Sequence, residues 1–331
     1  MAHVEAATRV LEQRLAPTGA AVAPANPPPA LAARGTLAPI PHRRARAKLA
    51  TVQVPIDGEA LQGRDPADVL APHIERAGRE GVDLVVFPEF TLGLFDLNGA
   101  VHTKVSTAAR RANVNVVVGG WEMLAGFDPK AVPFAPRTYA NCALVIARDG
   151  SLVGHYHKAH AAVGDAPYCW PPRAAEAGEW TMKWGEELPV FDLDIGRIGV
   201  LTCYDGFFFP MFETLSLKGA EILVWINGRP GIEDYIIKTA SFMTCTAVIT
   251  GNNAKGMGAT ICDYPAHILA RQEQPGEAYL SADIDLDRLR RERRNNRMFH
   301  QRRPDLYREL LQDWPVWEYY PDLPGFEYPK P

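Results

Sequence analysis

The chain has 331 residues, of which 47% are hydrophobic and 22% are charged, a composition typical of a globular protein. The formal net charge of −4 offers no electrostatic basis for binding nucleic acid, and no apolar run approaches the ~18 residues that span a bilayer. The five cysteines are odd in number and include no C-x-x-C pair, so neither a zinc ribbon nor a disulfide scaffold is indicated. We therefore expect a cytoplasmic protein with reduced thiols and with no nucleic-acid or membrane partner.

The first 47 residues differ from the rest of the chain. Residues 16–41 are rich in Ala and Pro, and a basic cluster follows at residues 42–46. Such a segment cannot bury enough apolar surface to fold by itself. A targeting peptide is disfavoured because the segment contains acidic residues and no apolar signal core. We predict that residues 1–47 form a solvated arm or an extension that docks in an oligomer.

From residue 48 onward, apolar stretches of strand length alternate with helical periodicity. Strands are predicted at residues 49–54, 82–87 and 114–118. Asp65-Pro66 predicts an N-cap and a first helical turn, and Pro72 then predicts a kink or a later start of this helix. With a second helix at 105–112 and a turn at Gly119-Gly120, this part has a βαβαβ pattern whose strands are covered on both faces.

Hairpins and further helices fill the rest of the predicted domain. The hairpins are predicted at residues 141–156, 188–202 and 260–269. The remaining helices and strands are predicted at 211–218, 221–226, 233–246, 248–250, 278–283 and from Leu286. The connection at 161–187 has no period of its own, and loops of that length are often functional. The aromatic and Pro-rich segment 308–331 predicts an extended tail that lies at an oligomer interface.

Three predicted strand ends carry side chains with catalytic chemistry. Glu89 follows the strand at 82–87, Lys158 follows an arm of the first hairpin, and Cys203 follows the second hairpin. Open α/β sheets place their ligands at the carboxyl ends of strands. Taken singly, Cys203 is also explained as a buried hydrophobe, Glu89 as a cap and Lys158 as a solvated strand end. Together the three residues supply a nucleophile, a base and a cation.

This combination matches the chemistry of amide cleavage. The reactive form of cysteine is the thiolate, which a nearby cation and a base favour. The tetrahedral intermediate needs donors aimed at its oxyanion, and the Lys158 ammonium and the backbone N–H after Cys203 can supply them. The leaving amine needs a proton, which a partly buried Glu89 with a raised pKa can carry.

Six segments of the chain, three of which contain these residues, match the motifs of a known protein family in their order and spacing. They are residues 86–90 (VFPEF), 156–160 (YHKAH), 188–205 (LPVFD to LTCYD), 218–223 (KGAEIL), 278–285 (AYLSADID) and 302–307 (RRPDLY). In these segments the chain resembles the nitrilase superfamily of carbon–nitrogen hydrolases. The resemblance implies a four-layer αββα sandwich over residues 48–307. We predict that the protein uses no cofactor and no metal. The resemblance also implies a homodimer or higher homo-oligomer, with C-terminal tails that often cross the interface.

The resemblance assigns roles to four residues. By motif matching, Glu89 is the general acid/base, Lys158 stabilises the oxyanion, and Cys203 is the nucleophile that forms a thioester. The family also has a second structural Glu several residues before a Gly. Glu179 is the best match to that second Glu, and Glu176 is the reserve.

The chain departs from the family immediately after the nucleophile. The family usually continues Cys-Tyr-Asp with x-Arg-Phe-Pro-Glu, whereas residues 206–211 here are GFFFPM, one residue longer and without Arg or Glu. The candidate substrate-binding residues are Tyr204, Phe207, Phe208 and Asn227. Three phenylalanines beside the nucleophile favour an apolar or aromatic acyl group, and the alternative is that they only pack against the following helix.

The residues after Cys203 also favour one activity over others. Cys203-Tyr204-Asp205 resembles amidases and carbamoyl hydrolases more than nitrilases, which tend to have Trp-Glu after the cysteine. We predict hydrolysis of a carboxamide first, of an N-carbamoyl compound second and of a nitrile third. A carbamoyl amino acid would need cations for its carboxylate, and Arg173 and Arg229 lie in loops that can supply them.

Two other classes of function remain as alternatives. One is a metal site at His155, His157 and His160, since alternate residues of a strand share a face. No carboxylate or cysteine follows at ligand spacing, and Lys158 repels a cation, so the sequence predicts no metal. The other alternative is a non-catalytic scaffold or binding protein on the same fold, which the altered segment 206–211 allows.

Overall fold

A computed structural model describes residues 38–41, 44–56, 63–131, 135–162, 179 and 181–322. The chain divides into two compact units, and the larger one contains the described residues between 38 and 301. Predictions for residues 1–37, for most of the 161–187 connection and for Glu176 and Arg173 lie outside the described residues. The described part of the chain contains no helix long and apolar enough to cross a membrane.

The described residues form a 13-stranded sheet with helices packed on it. The strands are β1 Arg46–Val54, β2 Leu84–Val86, β3 Leu94–Phe95, β4 Asn115–Met123, β5 Tyr139–Ile146, β6 Leu152–His157, β7 Val190–Leu193, β8 Gly196–Thr202, β9 Ile222–Ile226, β10 Ala247–Asn253, β11 Thr260–Asp263, β12 His267–Arg271 and β13 Ala278–Asp285. The helices are α1 Pro66–Arg79, α2 Ala100–Ala112, α3 Phe209–Leu217, α4 Asp234–Thr244, α5 Leu286–Asn295 and α6 Arg297–His300. The three predicted hairpins are confirmed.

The main path of the sheet runs in the order β6-β5-β4-β2-β1-β10-β9-β8-β7. Strands β1, β2 and β4 pair in parallel, as do β8, β9 and β10, and a parallel β1–β10 pair joins the two halves. An antiparallel hairpin ends the path on each side. Because paired parallel strands run in the same direction, their carboxyl ends lie at the same edge of the sheet. The carboxyl end of β2 therefore lies at the same edge as those of β1 and β4, and the carboxyl end of β8 lies at the same edge as that of β9.

Side-chain alternation divides strands β1, β2, β4 and β5 of the first half-sheet between two cores. Leu49 and Val86 face the core that this half shares with the second half, whereas Ala50 and Val85 face helices α1 and α2. The shared core also reaches α3, α4 and α5 through residues such as Phe212. The four layers of the predicted αββα sandwich are thus helices α1 and α2, the two half-sheets that share a core, and the helices that pack on the second half-sheet.

Helix α1 begins where the sequence predicts. The Asp65 side chain accepts a hydrogen bond from the Ala67 backbone N (2.9 Å), and Pro66 follows the cap. The helix continues through Pro72, so the expectation of a later start is wrong. Pro72 is exposed, and the fully buried Leu70 and Ile74 on either side hold the helix against the sheet.

Gly119-Gly120 lies within β4, so the predicted turn at this position is wrong. A Cβ added at Gly119 would lie 2.8 Å from Glu89 Cα and 2.8 Å from Ile226 Cδ1. The glycine is therefore required for a close approach of backbone segments, since no side chain fits there. This approach brings the chain after β2 against β4 and sets the position of Glu89.

The second compact unit contains residues 302–321 among those described. Short 3-10 turns occur at Pro304–Leu306, Arg308–Leu311 and Val316–Tyr319. The tail is therefore not extended over these turns, because local bonds such as Leu310 N to Tyr307 O (3.0 Å) curl the chain. Its position at an oligomer interface stays a prediction.

Candidate active site

Cys203 begins a 3-10 turn, Cys203–Phe207, directly after β8. Its backbone φ is +47°, a left-handed conformation that non-glycine residues rarely adopt and that occurs at functional sites. The Cys203 carbonyl accepts a hydrogen bond from Trp225 Nε1 at 2.8 Å. This bond to the neighbouring strand β9 holds the backbone of Cys203 in its unusual conformation.

Asp205 ties the Cys203 turn to the end of β6. This carboxylate is fully buried, and its Oδ2 accepts hydrogen bonds from Thr202 N (3.1 Å) and from the Tyr156 hydroxyl (2.8 Å). Its Oδ1 accepts from the His160 backbone N (3.0 Å) and lies 2.9 Å from His160 Nδ1. Asp205 therefore links the Cys203 turn to the end of β6, next to Lys158, a connection that motif matching alone did not reveal.

Lys158 follows β6 and is only 1% exposed. Its Nζ donates to both carboxylate oxygens of Glu179 (2.7 and 2.8 Å) and to Glu89 Oε1 (3.1 Å). Burial lowers the pKa of Lys158, but the carboxylates of Glu179 and Glu89 outweigh burial and hold that pKa well above its ordinary value. The side chain is therefore a permanently charged ammonium at neutral pH.

Glu89 lies three residues after Val86, the last residue of β2, and is 1% exposed. Its Oε1 accepts from Asn141 Nδ2 (2.7 Å) and Lys158 Nζ, whereas its buried Oε2 has no hydrogen-bond partner among the described residues. Burial raises the pKa of the Glu89 carboxyl, Lys158 partly offsets this rise, and Glu179 adds to it. A carboxyl with a raised pKa and one free oxygen is suited to accepting and returning a proton.

Asn141 in β5 joins the two carboxylates, and the sequence reasoning did not identify it. Its Nδ2 donates to Glu89 Oε1 (2.7 Å) and to Glu179 Oε1 (2.9 Å), and its backbone carbonyl accepts from Lys158 N (2.9 Å). The signal available in the sequence was one amide side chain within the otherwise apolar run YANCALVI. A fully buried amide in such a strand needs polar partners.

Glu179 completes the buried cluster around Lys158. Its Oε2 also accepts from the Ala162 backbone N at 2.5 Å, so both of its oxygens have donors. These contacts place Glu179, which the sequence selected over Glu176, next to Lys158 and Glu89.

Cys203 lies close enough to this cluster to be influenced by its charges. Burial raises the pKa of the Cys203 thiol, Glu89 raises it further, and Lys158 lowers it, with a net rise. The thiol is therefore protonated at neutral pH and needs a base in order to react. The structure thus brings together the nucleophile, the cation and the carboxyl group that the sequence predicts.

Phe207 and Arg229 contact each other, and the Arg229 charge acts on Cys203. The Arg229 guanidinium carbon is 4.6 Å from the centre of the Phe207 ring, and Arg229 lowers the pKa of the Cys203 thiol. Arg229 Nη2 donates to Glu233 Oε1 at 2.7 Å. Among the described residues, Arg229 Nη1 and Glu233 Oε2 are buried and have no hydrogen-bond partner.

The other candidate substrate-binding residues have identifiable neighbours. Phe208 stacks on His160 with ring centres 3.8 Å apart, and Tyr204 packs edge-on against Phe208 at 5.3 Å. Asn227 is fully buried after β9, and its Nδ2 donates to Trp225 O (2.8 Å). Asn227 Oδ1 has no partner among the described residues. Substrate contact by these residues stays a prediction.

Comparison with known proteins shows relatives along most of the chain. A family model described as carbon–nitrogen hydrolase matches residues 48–294. The chain is 25% identical over 302 residues to a citrullinase of Francisella tularensis subsp. tularensis, a match that covers 82% of this chain and 100% of the relative. It is 26% identical over 261 residues to a deaminated glutathione amidase of Mus musculus, covering 72% of this chain and 78% of the relative.

The fold is also similar to that of a solved structure. The carbon–nitrogen hydrolase from Helicobacter pylori G27 superposes with a TM-score of 0.65 at 19% sequence identity. The superposition covers 81% of this chain and 99% of that chain. At this level of identity the similarity concerns the architecture.

Proposed function

Because the chain belongs to the carbon–nitrogen hydrolase family of the nitrilase superfamily, we propose that it hydrolyses a carboxamide through a thioester on Cys203. The enzyme acts on carbon–nitrogen bonds other than peptide bonds and releases ammonia or an amine. The observation that carries this proposal is the buried cluster of Glu89, Lys158 and Glu179, whose charges act on the Cys203 thiol.

The first step is attack of Cys203 Sγ on the amide carbon. A new S–C bond forms, the π electrons of the carbonyl move onto its oxygen, and the thiol proton passes to Glu89. The raised pKa of the Cys203 thiol means that this transfer needs a base within reach. The free Oε2 of Glu89 is the available acceptor.

The oxyanion that results is stabilised by the Lys158 ammonium and by the backbone N–H of Tyr204. Lys158 is held by three charge-assisted hydrogen bonds, so little reorganisation is needed when the negative charge develops. Removing one such donor typically lowers kcat by about 10²–10³. In this proposal Glu179 positions Lys158 and keeps it charged.

The intermediate then collapses as the C–N bond breaks and Glu89 gives its proton to the leaving nitrogen. Water attacks the thioester in the second half of the reaction and gives a proton to Glu89. The C–S bond breaks, the acid product leaves, and the Cys203 thiol regains its proton. A raised pKa suits Glu89 to both directions of proton transfer.

A specific observation favours a carboxylate-bearing substrate, such as an N-carbamoyl amino acid, as the second candidate. Arg229 lies near Cys203 and has a buried Nη1 that has no partner among the described residues. Guanidinium groups bind carboxylates through paired N–H donors, and Glu233 uses only one side of this fork. A substrate carboxylate that accepts from Arg229 Nη1 would occupy the other side of the guanidinium group.

The activity is tested by incubating purified protein with panels of carboxamides, N-carbamoyl compounds and nitriles beside the Cys203→Ala variant. We expect ammonia or amine release from carboxamides by the parent enzyme alone. Equal release by parent and variant would refute the proposal. A preference for N-carbamoyl amino acids that Arg229→Gln abolishes would establish the second candidate instead.

We also propose a cytoplasmic homo-oligomer. The tail exposes large apolar side chains, with Leu311 at 91% and Tyr319 at 71%, which an oligomer interface would cover. The described cysteines all carry free thiols, as expected in a reducing compartment. Light scattering of the full chain and of a chain truncated after residue 307 measures the assembly, and identical monomeric masses would contradict it.

A further inference from the structure

Glu122, His155 and His157 come together from two strands, β4 and β6, that flank β5 at the β6 end of the sheet. Glu122 belongs to β4, and the two histidines belong to β6. Between them, Cys142 and Leu144 of β5 lie opposite His157 and His155 respectively. Because residues two apart on a strand share a face, both histidines point to the side on which Glu122 lies.

The distances within this cluster suit a shared ion. Glu122 Oε2 is 2.7 Å from His157 Nε2, and the two imidazole rings are 4.9 Å apart. One ligand atom from each of the three residues lies within 4.8 Å of the others. Ligand atoms around a tetrahedral zinc ion are about 3.3 Å apart, so small side-chain rotations would complete the geometry.

The surroundings support an ion that enters from solvent. The Glu122 side chain is 7% exposed, that of His157 is 15% exposed, and His155 is exposed. The two histidines line a groove of about 420 Å³, which has room for a water molecule as a further ligand. Lys183 also lines this groove and repels cations, but Glu186 and Glu187 line it too and offset that charge.

The buried carboxylate also has an orienting partner. The Cys142 thiol lies beside Glu122 and hydrogen-bonds to its side chain. Metal-binding carboxylates are commonly oriented by such neighbouring groups, which restrict their rotation. Cys142 is fully buried beneath the cluster, so it supports Glu122 from the protein side while the groove remains open.

We propose that Glu122, His155 and His157 form a binding site for Zn²⁺ or a chemically similar divalent transition-metal ion. Two imidazoles and one carboxylate are the donor set that zinc accepts, whereas Mg²⁺ and Ca²⁺ prefer oxygen ligands alone. A water molecule from the groove supplies the fourth ligand.

This proposed site differs from the set of three histidines that the sequence suggested, and it departs from the expectation that no metal binds. His160 is not part of it, because His160 Nδ1 lies 2.9 Å from Asp205 Oδ1. The missing carboxylate comes from Glu122, which is 33 residues before His155 in the numbering and therefore outside any ligand-spacing pattern. Lys158 does not oppose an ion here, because its Nζ is bound to Glu89 and Glu179.

The ion would cross-link β4 and β6 over β5, immediately before Lys158. The Lys158 backbone N donates to Asn141 O (2.9 Å), and its carbonyl accepts from Gly185 N (2.8 Å). An ion at the preceding residue would thus brace the strand end that carries the ammonium group. We therefore assign it a stabilising role rather than a chemical step in hydrolysis.

The test is calorimetric titration of ZnCl₂ into the full-length Cys203→Ala protein, in which the nucleophile thiol cannot bind the metal. We expect one high-affinity Zn²⁺ per chain, a higher Tm with Zn²⁺, and no such rise with Mg²⁺. In the same background, His155→Gln with His157→Gln is expected to weaken Zn²⁺ binding by at least about 100-fold, since even loss of an orienting neighbour costs 10- to 100-fold. His267→Gln, on the exposed end of β12, is the matched control and should bind as the parent does.

Two readouts separate this site from nonspecific binding. Co²⁺ should give the intense visible absorption of a four- or five-coordinate site, and the double variant should lose it. Circular dichroism of the metal-free variants checks their folding, and His155→Gln alone supplies the answer if the double variant is unfolded, because His155 is exposed. Unchanged Zn²⁺ affinity in a folded His155→Gln variant, or no binding by the parent, would overturn the proposal.

Discussion

Replacing Glu179 by Gln isolates the charge that holds Lys158 in place. The parent carboxylate accepts two hydrogen bonds from Lys158 Nζ (2.7 and 2.8 Å), one from Asn141 Nδ2 (2.9 Å) and one from the Ala162 backbone N. The amide of Gln has one oxygen, so it can serve Lys158 or Ala162 but not both without placing its NH₂ against a donor. Among the described residues, Glu89 is then the one carboxylate partner left to the buried Lys158 ammonium.

The expected loss of stability follows from this geometry. Breaking a buried ion pair by removing one partner costs about 3–5 kcal/mol, and Glu89 still offers Lys158 a bond at 3.1 Å. We therefore expect the free energy of unfolding to fall by about 3 kcal/mol. We also expect kcat to fall by about 10²–10³, because a Lys158 side chain that is free to rotate no longer holds its ammonium in position for the oxyanion.

The pH profile distinguishes positioning of Lys158 from a general loss of structure. The Glu179 charge raises the pKa of Glu89, so its removal lowers that pKa. The acid limb of kcat/KM should then move to lower pH, because Glu89 becomes a base at lower pH. Urea denaturation and pH-dependent amide hydrolysis measure both effects, with Glu273→Gln on the exposed surface as the matched control.

The result that would refute this reasoning is a Glu179→Gln enzyme with parent kcat and an unmoved acid limb. Stability loss without those kinetic changes would show that Glu179 supports the fold but does not position Lys158.

Three further predictions follow from the same contacts. Glu89→Gln should abolish turnover. The raised pKa of Glu89 contributes stability that is fully present below the ordinary Glu pKa of about 4.3 and is lost as pH rises through the higher folded-state pKa, so the variant should gain stability relative to the parent as pH rises above about 4.3. Urea denaturation at a series of pH values measures this gain, and a constant difference between variant and parent would contradict the raised pKa. Asp205→Asn should lower kcat with little change in KM and destabilise the protein by about 1–3 kcal/mol, because Asp205 Oδ2 is the buried acceptor for Tyr156 and Thr202. A parent value of kcat in a steady-state assay of the variant would argue against a positioning role for Asp205. Gly119→Ala should lower Tm, because its Cβ would lie 2.8 Å from Glu89 Cα, and an unchanged melting curve would show that the backbone yields at no cost.

Most of the fold was accessible from local patterns. Alternation, capping and turn residues predicted the strands and helices around Glu89, Lys158 and Cys203, because each of these elements depends on a few consecutive residues. Gly119-Gly120 was interpreted wrongly because a glycine needed for a turn and one needed for a close backbone approach look alike in a sequence. Only the neighbour across the sheet distinguishes the two cases.

Some residues of the candidate site were also predictable from the sequence, and others were not. The sequence predicted Glu89, Lys158, Cys203 and Glu179 as site residues, and the structure places Lys158 against Glu89 and Glu179, with the charges of this cluster acting on Cys203. Asn141 was missed because its partners, Glu89 and Glu179, come from segments 52 residues before it and 38 residues after it. Which buried amide meets which carboxylate depends on strand register, and a single sequence does not specify register.

The sequence by itself therefore determined the order of most elements, because these follow from short-range periodicity, and it predicted Glu89, Lys158 and Cys203 as site residues from residue types at strand ends and from the family resemblance. Only the tertiary structure decided that Asn141 and Asp205 connect the elements that carry these residues and that Glu122 lies beside His155 and His157. Those contacts depend on sheet pairing, which brings residues distant in the chain within hydrogen-bond distance. The physical reason is that side-chain chemistry is local, whereas the distance between two side chains is a property of the whole sheet.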